Sequence, residues 1–403
     1  MSIETLTAAI LARMADTNKW QRRFLNHLFH LWLGIRGRLN FLNMSRQGDF
    51  TETTYHNQFQ RGLNWLEFSG HLVSDHCLPE RIIVFDPSHL SKSGKHTPGV
   101  GWFWSGKANR VEWGLEIGAF SAVDIVNHTA MHLLAEQTTP EKVEAAGGQM
   151  AHYCQLVEQN APQLRQISPW LVVDSFFSRQ PFVGRSQAAG LEVITRLRKD
   201  AVLLYPFLGP KSGKKGRPQK FAGRVNLLEL DPHYFTPCTS DEDGQLAFEA
   251  RIWVKAWKAW AKVVVVQTRD EHSKITAVKT YASTLPTIPG ADVWRYYKAR
   301  FQAEFLFRDA KGHTGLEECQ SRDVDKMHFH FNAALATVSL AKAAHWLALP
   351  AEKRGPFSMA SIKTQYANER LLNRFFVVFG INPNDAKNQK AVLELYNYGK
   401  IAA

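Results

Sequence analysis

Cysteine is scarce in this chain: four residues in 403, Cys77, Cys154, Cys238 and Cys319, with no two in a CxxC pair. That scatter outlines neither a zinc site nor a disulfide framework, and it suits a reducing cytosol. Long hydrophobic runs are missing as well. Stretches such as 263–266 are far too short to cross a bilayer, and no signal-peptide pattern opens the chain. The expectation is a soluble cytoplasmic protein of bacterial type that engages no membrane. Acidic residues are in deficit, 37 against 49 Lys plus Arg, for a formal net charge of +12. An excess of that sign suits a polyanionic partner, nucleic acid first of all. Internal repeats and long low-complexity segments are also absent.

What is present is ample core material: 45% of the residues are hydrophobic and 12% aromatic, enough for two or three domains. Residues 1–70 read as helical, with Phe24, Leu25, Leu28, Phe29, Leu31 and Trp32 at helical spacing and Gly34 and Gly37 ending the run. A short segment at 39–45, a turn at 47–49 and a second helix over 51–61, N-capped by Thr51, follow. With Arg36, Arg38, Arg46 and Arg61 nearby, a helix-turn-helix on DNA and a plain hairpin packed on the core fit these residues equally. From Arg81 the pattern turns to strands at 82–85, 100–104 and 113–120. A helix over 140–160 comes next, then strands at 170–173 and 191–196. This order predicts an α/β fold, a mixed sheet with helices on both faces. Segments at 247–254, 263–268 and 275–282 read as a separate strand-rich insertion. Helices return at 291–311, 324–349 and 358–376.

One helix carries the densest chemistry. Tyr297, Arg300, Glu304 and Lys311 follow the spacing Y-x2-R-x3-E-x6-K, and at 100° per residue the four fall within roughly a 60° arc. A carboxylate, two cations and a phenol on one stripe are the groups needed to hold a metal and nucleic-acid phosphates. Asp86 and Asp174 share a second context: each ends a hydrophobic strand (IIVFD, LVVD) and precedes Ser or Pro-Ser. Carboxyl ends of strands line the ligand crevice of α/β sheets. Three carboxylates that converge repel one another unless cations stand among them, and Mg2+ or Mn2+ suits all-oxygen ligands. Two such ions stabilise the attacking and leaving oxygens of a phosphoryl displacement. For any one acid alone, a capping role or a surface salt bridge is the ordinary alternative.

Together these residues resemble a known family. Asp86, Asp174 and the Tyr297/Arg300/Glu304/Lys311 helix look like a DDE transposase of the YREK-bearing insertion-sequence class, whose prototype is insertion sequence four. The run DPSHLSKSGK from Asp86 to Lys95 is similar to the family's first motif. Asp174 with SFF after it, and ITRLRKD over 194–200, resemble the second. The roughly 130 residues between Asp174 and Glu304 match the family's β-strand insertion in an RNase H-like core.

The resemblance implies cut-and-paste transposition: metal-dependent cleavage at transposon ends through hairpin intermediates, then strand transfer into target DNA. Asp86, Asp174 and Glu304 would be the catalytic acids and the ligands of two Mg2+ ions, for which Mn2+ substitutes. Tyr297, Arg300 and Lys311 would grip phosphates, a role that Arg and Lys chemistry suits. The implied partners are double-stranded DNA, as inverted-repeat ends and as target, and a second copy of the chain in a synaptic complex on the nucleoid. The implied organisation is a helical DNA-binding region at 1–75, a first part of the core at 76–204, a β insertion with a basic loop at 205–288, the rest of the core at 289–320, and a helical C-terminal region at 321–403 that serves dimerisation. Related enzymes hold a flipped base with an aromatic of the insertion; Trp253, Trp257, Trp260, Tyr281 and Trp294 are the candidates.

Further DNA contacts are expected from Lys92 and Lys95 after the first acid, and from Lys214, Lys215 and Arg217 in the basic loop. There Gly216-Arg217-Pro218 resembles a minor-groove-binding core. That loop is no Walker motif, since only three residues separate Gly209 from Gly213. His328 and His330 lie two apart on different helix faces and are assigned no metal. Two other functions fit the same residues: a metal-dependent nuclease without strand transfer, and a transposase-derived DNA-binding protein.

Overall fold

The computed structural model describes residues 2–210, 218–240 and 245–401. Among them the strands are β1 (Arg81–Ser91), β2 (Gly101–Ser105), β3 (Arg110–Asp124), β4 (Thr129–Thr138), β5 (Trp170–Val173), β6 (Glu192–Arg196), β7 (Leu203–Pro206), β8 (Phe221–Arg224), β9 (Thr236–Ser240), β10 (Gln245–Val254), β11 (Ala259–Arg269) and β12 (Ile275–Ser283). They form one mixed sheet in the order β2-β3-β1-β5-β6-β12-β11-β10-β7-β8, with β4 on β3 and β9 on β10. Helices flank it, so the α/β class expected from the sequence is the class observed.

The half that positions the acids is β4-β3-β1-β5-β6. β1 runs antiparallel to β3 and parallel to β5, and β5 runs parallel to β6. Ile82, Ile83, Val84 and Phe85 are buried, as are Leu171, Val172 and Val173, the near-continuous apolar reading of strands covered on both faces. β1 does not stop at Asp86 as the pattern suggested. It continues to Ser91 because β3 stays paired alongside it, Asp86 opposite Ala119 and Ser91 opposite Gly114. Pro87 is tolerated there because β5 has ended, leaving β1 a neighbour on one side only.

β4 was invisible in the sequence. Its residues are almost all buried, so no alternation marks it. One edge pairs with β3; the other is covered by the helix Val324–Lys342. Asn332 both accepts from the Ala135 N–H (2.8 Å) and donates to the Ala135 carbonyl (2.9 Å). Ser339 Oγ accepts from the His132 N–H (2.8 Å), and Lys342 Nζ donates to the Ala130 carbonyl (2.9 Å). Polar side chains on a buried helix thus finish the hydrogen bonds of a strand edge that water cannot reach.

Two further expectations change. The insertion strands are not separate from the core sheet: β12 pairs with β6, Tyr281 opposite Arg196 and Ser283 opposite Ile194, and β11, β10 and β7 follow outward. The unbroken helix expected over 140–160 is two helices, Pro140–Ala146 and Gln149–Ile167, divided at Gly147 and Gly148 with φ of 83° and 126°, values that favour glycine.

Near the N-terminus the helix Lys19–Gly34 buries the six apolar residues that its periodicity marks and packs on Met359–Phe379. Lys363 joins the two, donating to the carbonyls of Trp32 (2.6 Å) and Ile35 (3.1 Å). The short helices Phe41–Gln47 and Glu52–Phe59 form a hairpin, with Thr51 capping the second. That hairpin docks on Val324–Lys342 through Phe59, whose ring lies 4.4 Å from Phe329. Arg36, Arg38, Arg46 and Arg61 remain exposed.

Candidate active site

Register brings the two aspartates level. Ile83 pairs with Leu171 and Val84 with Val172; two residues further on, the same register sets Asp86 beside Asp174 at the sheet's carboxyl edge. Neighbouring strands stand about 4.8 Å apart, so the two carboxylates sense one another. Asp174 also caps the turn that follows, its Oδ1 accepting from the Phe176 N–H at 2.9 Å. The ordinary capping role and a place at the site coexist in this residue.

Glu304 comes from a helix that packs against β1, β3 and β4. The stripe that carries it is not on one straight helix. Gly290–Ala299 and Gln302–His313 are separate, joined through Arg300 and Phe301. Across the joint the N–H of Arg300 bonds to Tyr297, that of Ala303 to Arg300, and that of Glu304 to Phe301. These are three-residue steps that tighten the turn and rotate the second half relative to an ideal α-helix.

Arg300 consequently stands among the acids. Its Nη2 donates to Glu304 Oε1 at 2.8 Å, and its Nη1 lies 3.8 Å from Asp86 Oδ1. The guanidinium also lies over the Tyr297 ring, 5.9 Å from the centroid, and Tyr297 packs on Tyr281 at 4.7 Å. Lys311 Nζ donates to the His89 carbonyl at 2.7 Å and lies 3.8 Å from Glu317. Lys92 Nζ donates to the carbonyls of Glu317 (3.1 Å) and Cys319 (2.5 Å), whereas Lys95 is exposed. Lys214, Lys215 and Arg217 lie outside the described residues.

The electrostatics follow from burial. Asp86 is pushed up to about 7, chiefly by burial; Arg300 opposes the rise, and Asp174 and Glu304 add to it. Burial also raises Asp174, against the pull of its Phe176 bond and Arg300. For Arg300 burial works against the charge, but Asp86, Tyr297 and Glu304 outweigh it and the guanidinium stays protonated. Burial lowers Lys311 and raises Tyr297.

Three hard oxygen donors in a partly desolvated site, one of them costly to ionise, form a donor set whose chemistry fits a divalent cation. Their spacing is not that of a finished cage. Among the described residues no three of His, Cys, Asp and Glu are close enough to enclose an ion, because Glu304 is turned onto Arg300. The guanidinium holds the position between the carboxylates that a metal would compete for.

Some neighbours were not singled out in the sequence. A cavity of about 400 Å³ opens beside the two aspartates, lined by Asp86, Pro87, Trp104, Glu116, Gln149, Tyr153, Asp174, Phe176 and Phe177. The signal for Glu116 was available: an acid inside the apolar run WGLEIGAF. A second cavity, of about 620 Å³, lies past the Asp174 turn and carries Arg179, Arg198 and Lys255. Of the candidate base-holding aromatics, Trp257, Tyr281 and Trp294 are buried, and Trp294 lies past the insertion on the helix Gly290–Ala299. Trp253 and Trp260 face each other across two strands, with the Lys220 ammonium 3.3 Å from the Trp253 ring centroid.

No curated protein matches the chain. Among solved structures it is similar to the cryo-EM structure of a piggyBac transposase synaptic complex with hairpin DNA, at 11% identity and a TM-score of 0.41, over 98% of this chain and 81% of that one. A family model described as DDE superfamily endonuclease matches residues 16–253. That span holds Asp86 and Asp174 and ends before Glu304. As it covers more than half of the 403 residues, the chain belongs to the DDE superfamily endonucleases, DNA-cleaving enzymes that generally use divalent metals.

Proposed function

We propose that the chain is a transposase of the YREK-bearing class whose prototype is insertion sequence four, acting on the ends of its own element. The observation that carries this reading is the meeting of Arg300 with Asp86 and Glu304, next to an Asp174 set level with Asp86 by strand register. Family membership supports the cleavage step. The motif spacing around Tyr297, Arg300, Glu304 and Lys311 supports the narrower class.

In this reading Asp86, Asp174 and Glu304 hold two Mg2+ ions, with Mn2+ able to substitute. Bound there, such ions supply a nucleophile at neutral pH and stabilise the oxygens of an in-line displacement. The protein's own groups do the rest. Arg300, charged and able to bond two oxygens at once, exchanges Glu304 for a DNA phosphate. Tyr297 holds the guanidinium from one side by ring contact. Lys311, tied to the β1 backbone, keeps its helix in register with Asp86. Water displaces the element's 3′-oxygen from the phosphate at its end, which frees a 3′-hydroxyl and leaves a 5′-phosphate on the flank. That hydroxyl attacks the opposite strand and displaces the flanking 3′-oxygen, which gives a hairpin. A second water reopens the hairpin and restores the 3′-hydroxyl, which then attacks a target phosphodiester and displaces the target's 3′-oxygen. A homodimer holding two ends in a synaptic complex completes the proposal. The exposed arginines of the N-terminal hairpin and Lys95 contribute DNA-backbone contacts.

The test is a strand-transfer assay with Mg2+ and DNA carrying the element's own ends. Hairpins and joined products are expected, with both lost in Glu304→Gln and end binding kept. Nicks without joined products would leave the chain a nuclease. Binding without any cleavage would make it a transposase-derived DNA-binding protein.

A further inference from the structure

The cavity beside Asp86 and Asp174 has the wrong walls for a phosphate. Apart from Asp86 and Asp174, which the proposed ions would engage, its lining offers one acid, Glu116, and no Lys or Arg. It also has the wrong walls for a purely apolar ligand, because Glu116, only 3% exposed, lies within it. Glu116 Oε1 accepts from the Tyr153 hydroxyl at 2.5 Å. Gln149 Nε2 donates to the Tyr153 oxygen at 2.8 Å and lies 3.5 Å from that same Glu116 oxygen. A carboxyl, a phenol and an amide are thus held in one connected arrangement before any ligand arrives.

The remaining walls are aromatic. Phe177 and Tyr153 are buried, with ring centroids 5.5 Å apart. Trp104 and Phe176 also line the cavity yet stay open to water, 56% and 40% exposed. The Arg179 guanidinium lies 5.3 Å from the Phe176 ring centroid. Open aromatic faces around a slot with fixed hydrogen-bonding groups suit a flat heteroaromatic ring. A volume of about 400 Å³ accommodates a base with its sugar.

We propose that this cavity is a nucleobase pocket, taking the base of the nucleotide next to the phosphate at Asp86 and Asp174 and selecting bases that bear an exocyclic amino group. The inference rests on the DNA-cleavage reading of those acids. Trp104 and Phe176 stack on the base, and the Glu116 carboxyl accepts from the amino group of cytosine, adenine or guanine. Thymine has no amino group; its single ring donor, N3–H, lies between two carbonyl oxygens, and the carboxyl repels both as it approaches. None of these residues belongs to the β-strand insertion. The pocket therefore gives the catalytic half of the sheet a base preference of its own.

The test titrates the four deoxynucleoside 5′-monophosphates into the full chain with Mg2+ by calorimetry. The amino-bearing three should bind at least about fivefold more tightly than thymidine monophosphate, as one directed hydrogen bond allows. Glu116→Gln should bring the four within about twofold of one another. Trp104→Ala, at an exposed ring whose loss leaves the fold intact by circular dichroism, should weaken all four about tenfold, the scale of one lost stacking partner. Equal binding of all four to the unaltered protein, or unchanged affinities in Trp104→Ala, would overturn the pocket. Plasmid nicking with Mg2+, abolished by Asp86→Asn, is measured on the same preparation. Nicking together with base-blind nucleotide binding sinks the pocket alone; base-selective binding without nicking sinks the cleavage reading alone.

Discussion

Arg300 donates to Glu304 at 2.8 Å across the joint between two short helices. This bond turns the third acid away from Asp86 and Asp174 and fills the space among the carboxylates with a fixed positive charge. It makes the site a competition between a guanidinium and a divalent ion for the same oxygens.

Removing the competitor should therefore strengthen ion binding while weakening catalysis. Arg300→Ala is expected to bind Mn2+ about tenfold more tightly at pH 8.5, equivalent to about 1.4 kcal/mol. Its DNA cleavage should fall at least about a hundredfold, because the proposed phosphate contact goes with it. Electron paramagnetic resonance titration of Mn2+ reads the first effect. Weaker ion binding in Arg300→Ala would show that the guanidinium organises the acids instead of competing with an ion for them.

Asp86 links the same site to stability. Its folded value near 7 lies above that of the unfolded chain, about 3.8. Between these values the folded state binds the extra proton. The stabilisation is present below about pH 4 and is lost as pH rises through 7. Above pH 7 the ionised group costs on the order of 2 kcal/mol once solvent screening is allowed for. With chelator at pH 8, Asp86→Asn should melt several degrees higher than the unaltered protein. Mg2+ should raise the melting temperature of the unaltered protein and leave the variant unmoved. A variant that melts lower in chelator would contradict this.

Buried histidines give a second pH dependence of separate origin. Burial lowers His132 to about 3, and His330 and His345 to about 4. His132 bonds to Asn332 and His330 to the Gly315 carbonyl, both as neutral rings. The unfolded chain takes up protons on them below about 6.5 and the folded chain does not. The histidines' contribution to stability is therefore level above 6.5 and falls as pH drops toward 4. Each histidine adds about 1.4 kcal/mol per pH unit once fully below its unfolded value. Urea melts between pH 7 and 4.5 measure the slope, and His330→Gln should reduce it by one histidine's share. An unchanged slope would mean that other groups govern acid unfolding.

The two lysines after the first acid should separate by assay. Lys92 ties its loop to the carbonyls of Glu317 and Cys319, so Lys92→Ala is expected to lose about 1–3 kcal/mol of stability. The salt dependence of DNA binding should barely change in that variant. Lys95 is exposed, and Lys95→Ala should keep its stability and lose about one unit of the salt slope. The reverse pattern would exchange their roles.

Much of this site could be read from the chain because its signals are local. IIVFD and LVVD mark the strands that carry the acids, Asp174 just past the end of β5 and Asp86 inside β1, and their parallel pairing makes the acids neighbours. The spacing of Tyr297, Arg300, Glu304 and Lys311 marked the partner helix. Three-residue hydrogen bonds at Arg300 are set by tertiary packing, so no periodicity showed the joint, and the single 60° stripe was an idealisation. β4 escaped because its free edge is completed by Asn332, Ser339 and Lys342, some 200 residues away in the chain. The join of β12 to β6 escaped for the same reason: edge pairing between distant segments leaves no mark in either one. Glu116 was an acid in an apolar run, legible as an anomaly but not as part of a cavity until Tyr153 and Gln149 stood next to it.

In the proposed function Asp86, Asp174 and Glu304 form one centre for divalent ions. Iron-directed cleavage tests it most directly. Fe2+ bound in place of Mg2+, with ascorbate and peroxide, releases hydroxyl radicals that cut the polypeptide near the ion. Scission is expected close to residues 86, 174 and 304, suppressed by excess Mg2+ and lost together in Asp86→Asn. Cuts at only one of the three places, or cuts that persist in Asp86→Asn, would show that the acids do not form one metal centre.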